Sequence, residues 1–263
     1  MHNSLIELNY IREKKELLEE LNTEYLLKFQ EHEDMIKKKK LSLESIYLMN
    51  FGGLINKKFE LNLEYRKLKA KLSKIISALN SNIEVDLNKI DKELDDELKN
   101  FMEEIKDFKE KLRNSKDYFN SPLLTDEESK EVKSIFRYLA KKLHPDIVGD
   151  IGEKAKQLWQ QALDAYDNNN LITLIVIKDI FDNNEDINAK TKVNFDEQIE
   201  RIKNAISNIE KDILITKSDF PFNIEDKLYD KDFIENKKLE LSSEIKTFSL
   251  EISKLNSKIK SLV

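Results

Sequence analysis

The sequence has no cysteine, and only four glycines and three prolines in 263 residues. Without cysteine there can be no disulfide, no thiol redox chemistry and no Cys-ligated zinc or iron–sulfur centre. Three histidines, His2, His32 and His144, are too few for a clustered His metal site, and no cofactor is expected. The only adjacent glycine pair is Gly52-Gly53, which excludes a glycine-rich phosphate loop. Ordinary chains carry about 7% Gly and about 5% Pro, and β or α/β folds use both in their turns. Their scarcity predicts long helices. No run approaches the roughly 18 consecutive apolar residues of a membrane-spanning helix. The MHNSLIELNY start lacks the basic-then-apolar order of a secretory signal. A soluble cytoplasmic protein with no membrane partner is the expectation.

What the chain has in excess is charge. Charged residues make up 37%, with 45 basic against 51 acidic side chains and a net charge of −6. An acidic balance disfavours broad nucleic-acid binding. Lys37 to Lys40 form the one basic run, which reads as a solvated helix end.

Hydrophobic spacing then sets the architecture. Residues 3–40 carry an irregular stripe of Leu18, Leu21, Tyr25, Phe29, His32 and Ile36, with His32 a seam residue. In 41–56 the large residues Tyr47, Met49, Phe51 and Leu54 flank Gly52-Gly53, predicting a packed bend or hinge. Leu61, Tyr65, Leu68, Leu72, Ile75 and Leu79 follow at steps of 4 and 3. After the turn-like segment 80–86, Leu87, Ile90, Leu94, Leu98, Phe101, Ile105, Phe108 and Leu112 repeat the pattern. Two such amphipathic helices predict an antiparallel hairpin. Farther on, Phe195, Ile199, Ile202, Ile206, Ile209 and Ile213 form one seam, and Leu241, Ile245, Phe248, Ile252, Leu255, Ile259 and Leu262 another, with Pro221 breaking the chain between them. Strict spacing of this kind is a narrow coiled-coil seam that needs a partner helix.

Segment 119–182 differs. It holds the only Trp, and Pro122, Pro145, Gly149 and Gly152 bracket it. Thr125 with Glu128 fits a capping box opening a helix over about 126–143. Its residues Lys130, Lys133, Arg137 and Lys141 step by 3, 4 and 4, which puts four cations on one face. Val132, Ile135, Phe136, Leu139 and Leu143 lie opposite. His144-Pro145-Asp146 ends the helix, because proline disfavours helix at the preceding residue. The loop IVGDIG leads to a helix over about 153–167, whose Trp159, Ala162, Leu163 and Tyr166 supply the facing surface. LITLIVIKDIF, 171–181, is apolar on nearly every side and reads as a short buried helix.

This segment resembles the J domain of DnaJ-type co-chaperones. Phe136, Arg137, Leu139, Ala140 and Lys142 match the family's Y-R-x-L-A-x-K second helix. His144-Pro145-Asp146 matches its signature tripeptide, and Ala155, Trp159, Ala165 and Tyr166 its third helix. Ile147 stands where the family has Lys or Arg, and the family's first helix has no recognisable counterpart; Phe101 to Leu112 is the candidate to replace it. The linker, zinc and β-sandwich modules of longer DnaJ proteins are missing. The whole layout is similar to a bacterial J-domain-containing coiled-coil family.

The resemblance implies a co-chaperone that does no chemistry itself. It would recruit an ATP-bound DnaK-type chaperone and stimulate its ATPase, with coiled coils holding a client or a location. His144, Pro145 and Asp146 would form the docking loop, and Lys130, Lys133, Arg137, Lys141 and Lys142 the basic surface beside it. The alternative is a coiled-coil scaffold protein in which the J fold is only a packing module. The expected fold is all-α, with long antiparallel helical coiled-coil segments flanking a small J-like domain. Its parts are 1–118, 119–182 and 183–263. The flanking helices pair with each other within one chain, or self-associate through the C-terminal seam.

Overall fold

The structure, a computed structural model, describes residues 2–120, 125–149, 152–183 and 195–263, with the side chains of 2–9 and 116–120 excepted. Pro122, Asp150 and Ile151, expected around the compact segment, lie outside the described residues, as does the His2 side chain. The fold is all-α, and no strand occurs among the described residues. Its helices are α1 (His2–Asp34), α2 (Lys40–Asn80), α3 (Leu87–Glu97), α4 (Lys99–Asn120), α5 (Asp126–Leu143), α6 (Pro145–Val148), α7 (Glu153–Asp167), α8 (Leu171–Asp182), α9 (Phe195–Ser218) and α10 (Lys231–Lys260). A π-helical turn, Met35–Lys39, joins α1 to α2. The chain forms two compact units, one from 1–40 with 122–223 and one from 41–121 with 224–263.

The second unit is built on α2. Asp86 caps α3 by accepting from the Lys89 amide, and α3 and α4 return along α2 in the opposite direction, as the repeated spacing predicts. The ion pairs fix the register: Lys74 with Glu93 and Glu97 at 2.8 and 2.9 Å, and Lys71 with Asp91 at 2.7 Å. Farther along, Phe59 meets Phe108 edge-on and Glu60 pairs with Lys109. Helix α10 runs along α2 in the same direction, with Phe233 on Phe51, Phe248 on Tyr65, and Ile259 on the Ile75–Ile90–Leu94 core. Gly52-Gly53 forms no hinge. α2 continues through both residues, and a Cβ on Gly52 would lie 2.5 Å from Leu112 Cδ1. The glycine is there for close approach of α4.

In the first unit α1 and α9 lie side by side and point the same way. Lys14 pairs with Asp196, Lys28 with Glu210 and Lys217 with Glu31, while His32 Nε2 sits 3.3 Å from Thr216 Oγ1 on the seam. Ile199, Ile202, Ile206, Ile209 and Ile213 are all buried. Helices α5, α7 and α8 pack together beside this pair. Helix α8 buries only Leu174, Ile177 and Phe181, and leaves Ile172, Val176 and Ile180 exposed, so one apolar face is uncovered and the helix is not buried on every side.

Candidate docking site

Thr125 and Glu128 form the expected capping box, with the Glu128 amide donating to Thr125 Oγ1 and the Thr125 amide donating to the Glu128 carboxylate. Val132, Phe136, Leu139, Ala140 and Leu143 turn inward. Phe136 stacks on Tyr166 with centroids 3.9 Å apart and on Trp159 at 5.6 Å. The facing surfaces of α5 and α7 are those the spacing indicated.

His144 ends α5 and begins α6. Its amide donates to Ala140 O, and its backbone is extended, as the following proline requires. Its Nδ1 accepts from the Asp146 amide at 3.1 Å, and Pro145 occupies the first position of α6. Gly149, at φ +83°, closes the turn by donating to Pro145 O at 2.8 Å. The sequence predicts a plain loop here; the structure has a single capped helical turn.

His144 is buried, with its side chain 9% exposed. It lies edge-on to Phe29 at 4.6 Å, Trp159 at 4.9 Å and Tyr25 at 5.2 Å. Burial lowers its pKa from 6.5 to about 4, against the opposing charge of Asp146. The neutral ring accepts at Nδ1, so its proton is on Nε2. That N–H points to Tyr25 Oη at 3.3 Å, and the Tyr25 hydroxyl donates to Asp146 Oδ2 at 2.6 Å. Burial, and then the Asp146 bond, push the Tyr25 phenol above its ordinary range. The 4.0 Å approach of His144 Nδ1 to Asp146 Oδ2 is therefore between a neutral ring and a carboxylate, and is no ion pair at neutral pH. Both ring nitrogens are engaged, which leaves neither to act as a base.

Pro145 is exposed and the Asp146 side chain is 48% exposed. A third element holds the turn from behind. Arg201 on α9 donates from Nε to Asp146 O at 3.0 Å and from Nη2 to Ile147 O at 3.1 Å. Ile147, where the resembling family has a cation, is buried.

The five basic residues do not share one environment. Lys133 pairs with Asp34 at 2.9 Å and Lys141 with Glu19 at 2.8 Å, both acids on α1. Burial alone would raise the Asp34 pKa, but hydrogen bonds from Lys133 and Tyr166 and the charge of Lys38 hold it below its ordinary value. Lys130, Arg137 and Lys142 are exposed. Of the basic run, Lys37 pairs with Asp167, and Lys38 pairs with Asp34 and lies over the Tyr166 ring. A cleft of about 760 Å³ opens beside the turn, walled by Tyr25, Phe29, His32, Asp146, Glu200 and Asn208.

In the second unit the apolar side of Phe101–Leu112 is taken up by α2. In the first unit α1 lies against α5 and α7 through Tyr25, Phe29 and Gln30. Tyr25 and Phe29 read along the sequence only as stripe residues. Arg201 carried no signal at all, because its ligands are backbone carbonyls. No group of three or more His, Asp or Glu among the described residues could hold a metal ion, and no described helix is long and apolar enough to cross a membrane. The chain matches no family model, no curated protein and no solved structure.

Proposed function

We propose that the protein is a J-type co-chaperone whose first unit docks on the ATP state of a DnaK-type chaperone and stimulates its ATPase. The observation that carries this reading is the His144-Pro145-Asp146 turn. A buried neutral imidazole caps it, Pro145 is exposed, and a half-exposed carboxylate stands at the end of a helix that carries Lys130, Arg137 and Lys142 exposed. A carboxylate near exposed cations presents both signs of charge to a partner, which favours orientation and encounter rate more than raw affinity. The second unit and the exposed face of α8 are then the places to seek client or location binding. The protein itself performs no bond chemistry in this scheme.

The competing reading, a scaffold in which the J-like fold only packs, draws on two observations. Ile147 is turned inward, and Lys133 and Lys141 are neutralised by α1. Single-turnover ATP hydrolysis by a DnaK-type chaperone, with and without the full chain, separates the two. Co-chaperone action predicts faster hydrolysis with the unaltered chain and none of that gain with Asp146→Asn. Equal rates in all arms leave the scaffold reading.

A further inference from the structure

Asp146 is held, side chain and main chain, by groups that lie far from it in sequence. Tyr25 comes from α1 and Arg201 from α9, 121 and 55 residues away. Their bonds are of a kind that fixes the group and leaves its charge in place. The Tyr25 hydroxyl is neutral and occupies one oxygen, Oδ2. Arg201 places its positive charge on the main-chain carbonyls of Asp146 and Ile147. A planar guanidinium with two parallel donors sets both distance and angle of the peptide it grips. Gly149 makes room for it, since a Cβ there would lie 3.0 Å from Arg201 Nη1 and φ is +83°. The turn thus has its anchor in α9, and α9 is zipped to α1 along five buried isoleucines.

We propose that Arg201, assisted by Tyr25, is a positioning residue of the docking site, so that the α1–α9 pair is part of the working co-chaperone surface and not merely a stalk beside it. The proposal rests on the docking function proposed above. Without Arg201 the two carbonyls return to water, the one-turn helix α6 loses its backing, and Asp146 samples orientations that the partner does not accept. Affinity then falls through lost preorganisation, while the Asp146 carboxylate keeps its own charge.

The test uses the full chain and a DnaK-type ATPase, titrating the unaltered protein, Arg201→Gln, Arg201→Lys, Tyr25→Phe and Asp146→Asn. Arg201→Gln is expected to raise the half-maximal concentration about tenfold, the change that a loss of about 1.4 kcal/mol produces, while the rate at saturation is kept. Arg201→Lys, which can still reach one carbonyl, should recover part of the loss. A readout independent of the chaperone accompanies it: amide hydrogen exchange at Ile147, Val148 and Gly149, the turn's own donors, should quicken in Arg201→Gln while Ile202 and Ile206 on α9 keep their protection. Stimulation by Arg201→Gln equal to the unaltered chain, with Asp146→Asn inactive, overturns this proposal alone. No stimulation by the unaltered chain overturns the docking function and the proposal together.

Discussion

Tyr25 donates a 2.6 Å hydrogen bond to Asp146 while its oxygen faces His144 Nε2 at 3.3 Å. One hydroxyl therefore joins the two polar members of the turn, and the Asp146 amide completes the ring by donating back to His144 Nδ1. The ring closes only with a neutral His144. Protonation would place a second N–H on Nδ1, against the Asp146 amide that now donates to it.

The first prediction concerns that protonation. In the unfolded chain His144 has its ordinary pKa of 6.5, and in the fold it is lowered to about 4. The folded value is the lower one, so the unfolded chain binds more protons between the two. Stability is then fully present above about pH 6.5 and is lost as pH falls toward 4. The interval is worth about 3 kcal/mol. Trp159, the only tryptophan, lies 4.9 Å from the His144 ring, so its fluorescence reports this unit. Denaturation followed at Trp159 should show a smaller loss between pH 6.5 and 4.5 in His144→Gln than in the unaltered chain. Identical pH slopes would contradict the buried neutral imidazole.

Tyr25→Phe removes a single oxygen from a 3% exposed site. His144 Nε2–H is then left without an acceptor in the aromatic cluster, and a buried unsatisfied donor costs about 1–3 kcal/mol. Denaturation followed at Trp159 should show a loss of that size. A loss below about 0.5 kcal/mol, the ordinary surface range, would mean that the hydroxyl bond does not form.

Much of this fold is readable from hydrophobic spacing. The seams of α2, α3–α4, α9 and α10 and the capping box of α5 all follow from local periodicity, which acts within one helix. What spacing does not contain is the choice of partner. The stripe of α1 could have faced any seam, and it meets both α9 and the α5–α7 pair. Gly52-Gly53 misleads for a related reason. Glycine lowers helix propensity, but close packing against Leu112 overrides that local cost. In the site, the His-Pro-Asp string and the cations of α5 stand in one stretch of sequence. Tyr25, Asp34, Glu19 and Arg201 reach them only through tertiary packing.

The two glycines of α2 should respond in opposite directions. Around Gly53 a Cβ meets nothing within 4 Å, so Gly53→Ala should stabilise by about 0.5–1 kcal/mol through helix propensity. At Gly52 a larger side chain must displace Leu112, and overpacking of this kind costs about 1–3 kcal/mol. Far-ultraviolet circular dichroism melts of Gly53→Ala and Gly52→Leu are the measurement. A Gly52→Leu chain as stable as the parent would contradict the close approach of α4.

The basic residues of α5 divide into two groups by what they face, and charge reversal separates them. Lys133 holds Asp34, which is mostly buried with its side chain 25% exposed, so Lys133→Glu sets two carboxylates together and should destabilise the unit by about 1–3 kcal/mol. Arg137 and Lys142 are exposed, and reversal there should stay within about 0.5 kcal/mol in the Trp159 denaturation curve. Their effect belongs to encounter with an acidic partner surface, where rim charges change the association rate and its salt dependence more than the lifetime of the complex. Arg137→Glu and Lys142→Glu should therefore slow association with a DnaK-type chaperone at low salt, and the difference from the unaltered chain should shrink as ionic strength shortens the Debye length to about 8 Å and below. Association kinetics at two salt concentrations check this. Rates that are unchanged at both would remove Arg137 and Lys142 from the docking surface.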